Sequence, residues 1–348
     1  MNGAARTLLV LALASLPWGC ASDDAWPSSP ITIVCPWSAG GGTDQVSRQI
    51  ALYLEEDLGV PVAVVNAVGG AGVTGHATGA RARPDGTTLL MATVELNMLH
   101  WRDLTRLTWE DYAHLALLNR DAAAIFVRSD SPWSTAAELL DAARTTPGRL
   151  RASGTSTGGI WHLALAGWLV SEGLPPDAIR WISSAGAGPS LNELASRGVD
   201  VVCASVPEAR SFLEGSKDRP AVARALGVMS ERPVRGYESI PTFPSLGFDW
   251  TLEGWRGLVA PKGTPEPIVA KLRASLERIL LGEVKAGDRT FVEAMRAQTF
   301  DASWGRADEF RTLLAATDEK LGRLLTSPDF VALDDKSFPL HAFPGAIA

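Results

Sequence analysis

Residues 31–58, ITIVCPWSAGGGTDQVSRQIALYLEEDL, gather the groups with the most capacity for chemistry. A β-branched run over residues 31–34 stops at Pro36. Three glycines, Gly40, Gly41 and Gly42, follow, then Thr43 and Asp44. After them Val46, Ile50, Tyr53, Leu54 and Leu58 recur at helical spacing. This is strand, glycine turn, helix. The first amides of a helix have no intrahelical acceptor and sit at the positive end of its dipole, so they attract anions. Thr43 has the type of an N-cap, and Asp44 suits the positive end of the dipole. The turn lacks the Lys-Ser/Thr of a nucleotide P-loop and the G-x-G-x-x-G spacing of a dinucleotide site. It reads as a tight structural turn, or as one whose amides are also free to receive a carboxylate.

A second polar turn, Gly154-Thr155-Ser156-Thr157-Gly158-Gly159, follows an expected strand over residues 150–153 and precedes a helix starting near Ile160. It reads either as a solvated loop or as a ligand loop. No G-x-S-x-G elbow is present, which argues against a serine hydrolase. The histidines, His76, His100, His114, His162 and His341, form no i, i+3 or i, i+4 pair and join no cluster at metal-ligand spacing, so neither a metal nor another cofactor is expected. His162 fits a capping or packing residue better than a catalytic base. Glu95 follows the strand over 87–93. It is either a surface carboxylate or, facing a ligand, a group that repels an anion and favours an amine or hydrogen-bond donor. Trp37 and Trp161 flank the two glycine sets, either as core or as cleft wall.

The elements that must position these groups alternate. Strands are expected at 31–35, 62–66, 87–92, 123–128, 199–203, 225–229 and 255–260. Helices are expected at 43–58, 72–82, 134–144, 158–171, 189–197, 266–281 and 306–325, with Thr264-Pro265 as a clear start signal. Such alternation implies an α/β fold with parallel sheets. In open α/β sheets ligands sit beyond the carboxyl ends of strands. Glycine turns at 40–42 and 69–72, and again at 154–159 and 186–188, therefore suggest two sheets facing each other across a cleft. The chain would cross between them near 126–129 and again near 252–257. Residues 30–127 plus 253–348 would form one domain and 128–252 the other.

The 348 residues carry 46% hydrophobic and 20% charged side chains, a globular composition, and a net charge of −7 that disfavours nucleic acid as a partner. Residues 1–21 read as an export signal, with Arg6 before an apolar run at 7–16 that is too short to span a bilayer. Cleavage after Ala21 would release a periplasmic protein. Alternatively, Cys20 is the lipidated residue of a lipoprotein. Cys35 and Cys203 fall in expected buried strands, as small hydrophobes.

Five segments then resemble one family in order along residues 30–325: ITIVCPWSAGGGTDQVSRQIA, VVNAVGGAGVTGHATGARARPDGTTLL, RASGTSTGGIWHLALAGWL, AGAGPSLNELASRGVDVV and GWRGLVAPKGTPEPIVAKL. The chain resembles the extracytoplasmic solute receptors of tripartite tricarboxylate transporters, the Bug-type proteins. The resemblance implies a type II periplasmic-binding fold, two α/β domains with a hinge, closing on a small organic acid. It implies a monomer that delivers its solute to membrane subunits of a transporter. An exported sensor docking on a signalling receptor, or an exported hydrolase, are the alternatives. Carried over residue by residue, the ligand site would take Ser38, Gly41, Gly42 and Thr43 from one domain and Ser153, Thr155, Ser156 and Thr157 from the other. Ser184, Ala185, Gly186 and Ser205 would line it too, with Trp37, Glu95 and Trp161 at the walls. Ser184 and Ala185 replace a frequent aromatic–basic pair, Ala204 a frequent Asp, Ala67-Val68 a usual Arg-Pro, and Glu95 a small residue. The expected cleft has therefore lost basic character and gained a carboxylate.

Overall fold

The computed structural model describes residues 26–215 and 220–328. The export signal and the two readings of Cys20 lie outside the described residues. The chain begins with β1 (Ile31–Cys35), α1 (Gly42–Leu58), β2 (Val62–Asn66), α2 (Val73–Arg81) and β3 (Thr88–Thr93), then enters the 17-residue strand β4 (Tyr112–Arg128). There follow α3 (Ala136–Thr145), β5 (Leu150–Ser153), α4 (Ile160–Ser171), β6 (Ile179–Trp181), α5 (Ala187–Ala195), β7 (Val201–Ser205), α6 (Val206–Leu213) and β8 (Ala223–Val228). The return is β9 (Glu253–Pro261), α7 (Glu266–Leu281), the hairpin of β10 (Lys285–Ala286) and β11 (Arg289–Thr290), α8 (Phe291–Ala297), β12 (Gly305–Arg306) and α9 (Ala307–Leu325).

The main sheet runs β2-β1-β3-β9-β4-β7-β5-β6, with β8 and β12 also on β4. β4 joins its two halves. Tyr112 to Ala122 pair antiparallel with β9, and from Ala123 onward the strand pairs with β7 and β8 instead. Both halves repeat one order: a second, first and third parallel strand, then an antiparallel strand arriving from the other half, then a last strand. In the first half these are β2-β1-β3-β9-β4; in the other, β6-β5-β7-β4-β8. This is the two-part α/β fold expected from the sequence.

The sequence pattern starts the crossing strand at 123; the structure starts it at Tyr112. The reason is the run Asn119-Arg120-Asp121, which breaks the apolar alternation. Asn119 and Asp121 are nonetheless buried, hydrogen-bonded partners, and a strand can bury polar side chains when they satisfy each other. Helix α6 has no counterpart among the expected helices; Pro207 stands in its first turn, where no N–H is needed.

Two core clusters form: one lies wholly within the first half, and the other fills the second half and runs on into the first through Val34, Leu90 and Phe310. Ile31, Ile33, Ile50, Leu54, Leu89, Leu272 and Phe291 belong to one; Phe126, Val202, Leu191, Trp168 and Phe243 belong to the other. Helix α4 is apolar on all sides and buried over nearly its whole length. Trp168 on it meets the edges of Phe243 and Phe248, with ring centroids 5.0 and 5.4 Å away. Cys35, at the end of β1, and Cys203, in the middle of β7, are free and buried. Among the described residues no helix is long and apolar enough to cross a membrane.

Candidate ligand-binding cleft

The first wall grows out of β1. After Cys35 the chain turns through Gly40, whose φ of +81° suits glycine, and α1 begins at Gly42. The first intrahelical bond runs from the Gln45 N–H to the Gly41 carbonyl at 3.0 Å. The amides of Gly42, Thr43 and Asp44 precede it and have no intrahelical acceptor. The cap is Gly41, not Thr43, and it offers no side-chain bond. Thr43 instead accepts a hydrogen bond from Arg256 Nε at 3.0 Å. Asp44 turns back to accept from the Gly40 N–H (2.9 Å), Asn66 Nδ2 (2.9 Å) and Arg48 (2.9 Å). Burial pushes its carboxyl up, but these partners outweigh that and hold it below the usual carboxylate range. The turn is thus fixed from behind, and its front carries bare amides.

Around it stand Trp37, Ser38, Thr93, Val94, Glu95, Gly254, Trp255 and Arg256 from the first half of the sheet, and Thr155, Ile160, Trp161, Gly186, Ala187 and Glu208 from the second. The walls are close, leaving about 30 Å³ of free space. Three contacts bridge them. Ser38 Oγ donates to the Ala185 carbonyl at 3.2 Å, the Ile160 N–H donates to Glu95 Oε1 at 3.3 Å, and Arg256 Nη2 donates to Glu208 Oε1 at 3.2 Å. Gly42 is needed here because a Cβ would lie 2.7 Å from Glu208 Cγ and 2.8 Å from Arg256 Nη2.

Arg256 is 5% exposed and, among the described lining residues, the single cation. Its fork binds Thr43, Glu208 and Asp121, and Asp121 also accepts from Asn119 Nδ2 at 2.8 Å. Burial drives the Asp121 carboxyl up to about 6, against the pull of Arg256, and the Glu208 charge adds to the rise. Burial likewise raises Glu95, which is 3% exposed and accepts from Thr93 Oγ1 at 2.6 Å.

Residues 46–328 match the model of the tripartite tricarboxylate transporter family receptor. The chain belongs to that family. It is 31% identical to a solute-binding protein from Polaromonas solved with no ligand, covering 86% of this chain and 99% of that one, with a TM-score of 0.62. It is 26% identical over 299 residues to protein BugT of Bordetella pertussis, covering 84% of this chain and 87% of the relative. A protein of R. palustris solved with adipate shares the fold at 22% identity and a TM-score of 0.78, covering 86% and 97%. The family and the Polaromonas neighbour are solute receptors, not enzymes.

Of the residues singled out from the sequence, this receptor brings Trp37, Ser38, Gly41, Gly42, Thr43, Glu95, Thr155, Trp161 and Gly186 to the cleft. The others are not among the lining residues. Ser153 Oγ donates to the Ile182 carbonyl at 2.8 Å and lies 3.0 Å from Ser190 Oγ. Ser156 Oγ is buried without a partner among the described residues. The Thr157 N–H donates to Ser183 Oγ, and its carbonyl accepts from Arg102. Ser184 Oγ donates to the Gly186 carbonyl, and Ala185 contributes the carbonyl that meets Ser38. Ser205 gives both its N–H and Oγ to Glu208 at 3.0 Å, so its part is to cap α6 and aim Glu208.

Sequence reasoning missed Thr93, Glu208, Trp255, Arg256 and Asp121. The signals were present: an arginine inside the apolar run GWRGLVAP, and Ser205 followed three places later by Glu208. His162 is not placed for acid–base work. Burial lowers it to about 3, its Nδ1 accepts the Gly158 N–H at 2.8 Å, and its ring stacks on Trp181. No group of three or more His, Cys, Asp or Glu among the described residues could hold a metal. A larger hollow of about 540 Å³ is lined by Asp121, Arg232, Arg235, Arg296 and Phe300, among others. It has no glycine turn, and Asp121 is its link to the cleft through Arg256.

Proposed function

We propose that this receptor captures a small carboxylate-bearing solute by closing the cleft and hands it to the membrane subunits of a tripartite transporter. The observation that carries the reading is the bare N-terminus of α1 facing Gly186, Ala187 and Thr155 across one narrow cleft. Backbone amides converging from two walls hold a carboxylate only when the walls meet, so binding favours the closed form. The relative solved with adipate supports a carboxylate ligand. The weaker superposition on the more similar relative solved without ligand supports a hinge, because lobe rotation lowers whole-chain superposition without altering the fold. The lobes divide as 30–127 plus 253–348 and 128–252. The site takes Ser38, Gly41, Gly42 and Thr43 from the first, and Thr155 and Gly186 from the second. Ser153, Ser156, Thr157, Ser184 and Ser205 shape the second lobe's turns, and Ala185 offers its carbonyl to Ser38 across the cleft. Residues 1–21 direct export to the periplasm, and the receptor acts as a monomer.

The test is a thermal-shift screen of the purified mature chain against organic acids, amino acids and aromatic carboxylates. A true ligand at about a hundred times its Kd stabilises by roughly 2.7 kcal/mol and raises the melting temperature accordingly. A flat response across the panel overturns the capture reading. Delivery is measured as solute uptake into vesicles carrying the cognate membrane subunits, with and without the receptor.

A further inference from the structure

Three helices present their N-termini to the cleft, and they do not present them alike. Those of α1 and α5 stand together: Ser38 donates to the Ala185 carbonyl, and a Cβ on Gly188 would lie 3.9 Å from the Gly41 nitrogen. Neither has an unpaired acidic side chain at its open end: Asp44 faces back onto Gly40, Asn66 and Arg48, and Glu208, which stands beside Gly42, is paired with Arg256. The N-terminus of α4 is different. Gly159 caps it without a side-chain bond, and its first turn contains no acidic residue. Its anion comes instead from 65 positions upstream. Glu95 Oε1 accepts the Ile160 N–H at 3.3 Å, and Oε2 is held by Thr93 at 2.6 Å.

We propose that Glu95 occupies the seat of a second ligand carboxylate at the N-terminus of α4, so that this receptor selects solutes with one carboxylate and rejects matched dicarboxylates. The inference rests on the capture reading above and deepens it. The lining offers no spare cation to offset a second negative group, because Arg256 is already shared by Asp121, Glu208 and Thr43. An incoming second carboxylate would meet the buried Glu95 instead of a free amide, and a repulsive element of this kind is an effective way to discriminate. The free seat between α1 and α5 takes the one carboxylate. The remainder of the solute, neutral or bearing an amine, faces Glu95 and the rings of Trp37, Trp161 and Trp255.

Isothermal titration of the mature chain at constant pH with three matched pairs decides it: butyrate and succinate, hexanoate and adipate, benzoate and terephthalate. The expected result is that within the pair that binds, the monocarboxylate wins in the wild type. Glu95→Ala then improves the dicarboxylate by roughly ten- to hundred-fold, the worth of one charge-assisted hydrogen bond. Glu95→Gln keeps the side chain's bulk and gives a smaller gain. Circular dichroism checks folding, and if Glu95→Ala fails to fold, Glu95→Gln carries the comparison. A wild type that binds the dicarboxylate as tightly as its partner, or folded variants with no gain for it, overturns the selectivity while leaving the receptor reading intact. No binding by any of the six acids in any variant, together with a flat thermal screen, overturns both.

Discussion

Arg256 and the buried histidines show how single side chains set the behaviour of this receptor. A guanidinium that is 5% exposed holds two carboxylates and a hydroxyl by its planar fork, a task lysine's single ammonium cannot copy. His76 is held neutral by burial, at about 4. Its Nδ1 bonds the Gly72 carbonyl, and its Nε2 accepts the Thr93 N–H. His162 lies at about 3 for the same reason. Both values fall below the unfolded value near 6.5, so the unfolded chain binds more protons between roughly pH 4 and 6.5. Stability from these two residues is complete above pH 6.5 and is lost as pH falls toward 4. Asp121, raised to about 6, works the other way, since its ionisation costs stability as pH rises through 6. Glu95, also raised by burial, acts in the same direction as Asp121, so we expect the unfolding free energy from urea titration to drop between pH 6.5 and 5 by only about 1 kcal/mol. Glutamine at position 162 should flatten that slope; an unchanged slope would assign the pH dependence elsewhere.

Among the elements, the strand–turn–helix units do the positioning, and their glycines serve two separate ends. At Gly154, where β5 leaves the sheet, a Cβ would stand 2.1 Å from the Cys203 carbonyl oxygen and 2.9 Å from Trp181. That neighbour is backbone and cannot yield. Gly154→Ala should therefore lower stability by about 1–3 kcal/mol or more, read by urea unfolding. At Gly42 the obstructing atoms are side-chain atoms of Glu208 and Arg256, and both belong to the cleft contact. Gly42→Ala should destabilise less than Gly154→Ala, because side chains can shift where backbone cannot, while weakening ligand binding at least several-fold. Equal destabilisation by the two substitutions would contradict this division of roles.

For the molecule as a whole, hydrogen bonds between the halves include Arg102 to Thr157 and Arg210 to Ala297, and at the cleft Ser38 to Ala185, Ile160 to Glu95 and Arg256 to Glu208. The last is an ion pair with 6% of each side chain exposed, so screening by solvent is small. Glu208→Gln keeps an acceptor for Ser205 but loses the charge. It should shift the ligand-free chain toward the open form, seen as a larger radius of gyration by small-angle scattering, and weaken ligand binding roughly three- to ten-fold. A variant as compact as the wild type would place the closing force in another contact.

The sequence by itself determined the α/β alternation, the position of the glycine turns and the order of motifs that places the chain in its family. These are local properties, written in periodicity and in residues with special backbone freedom. The tertiary structure decided which turn residues face the ligand space. Ser153 and Ser205 have the right type and neighbourhood, yet each is turned onto a partner from another segment or its own helix end. It also decided that Arg256, Asp121 and Glu208, up to 135 positions apart, form one buried cluster, and that Glu95 caps a helix 65 residues away. Sequence spacing cannot encode such pairings. They arise only when β4 and β9 cross between the halves and bring the two walls together.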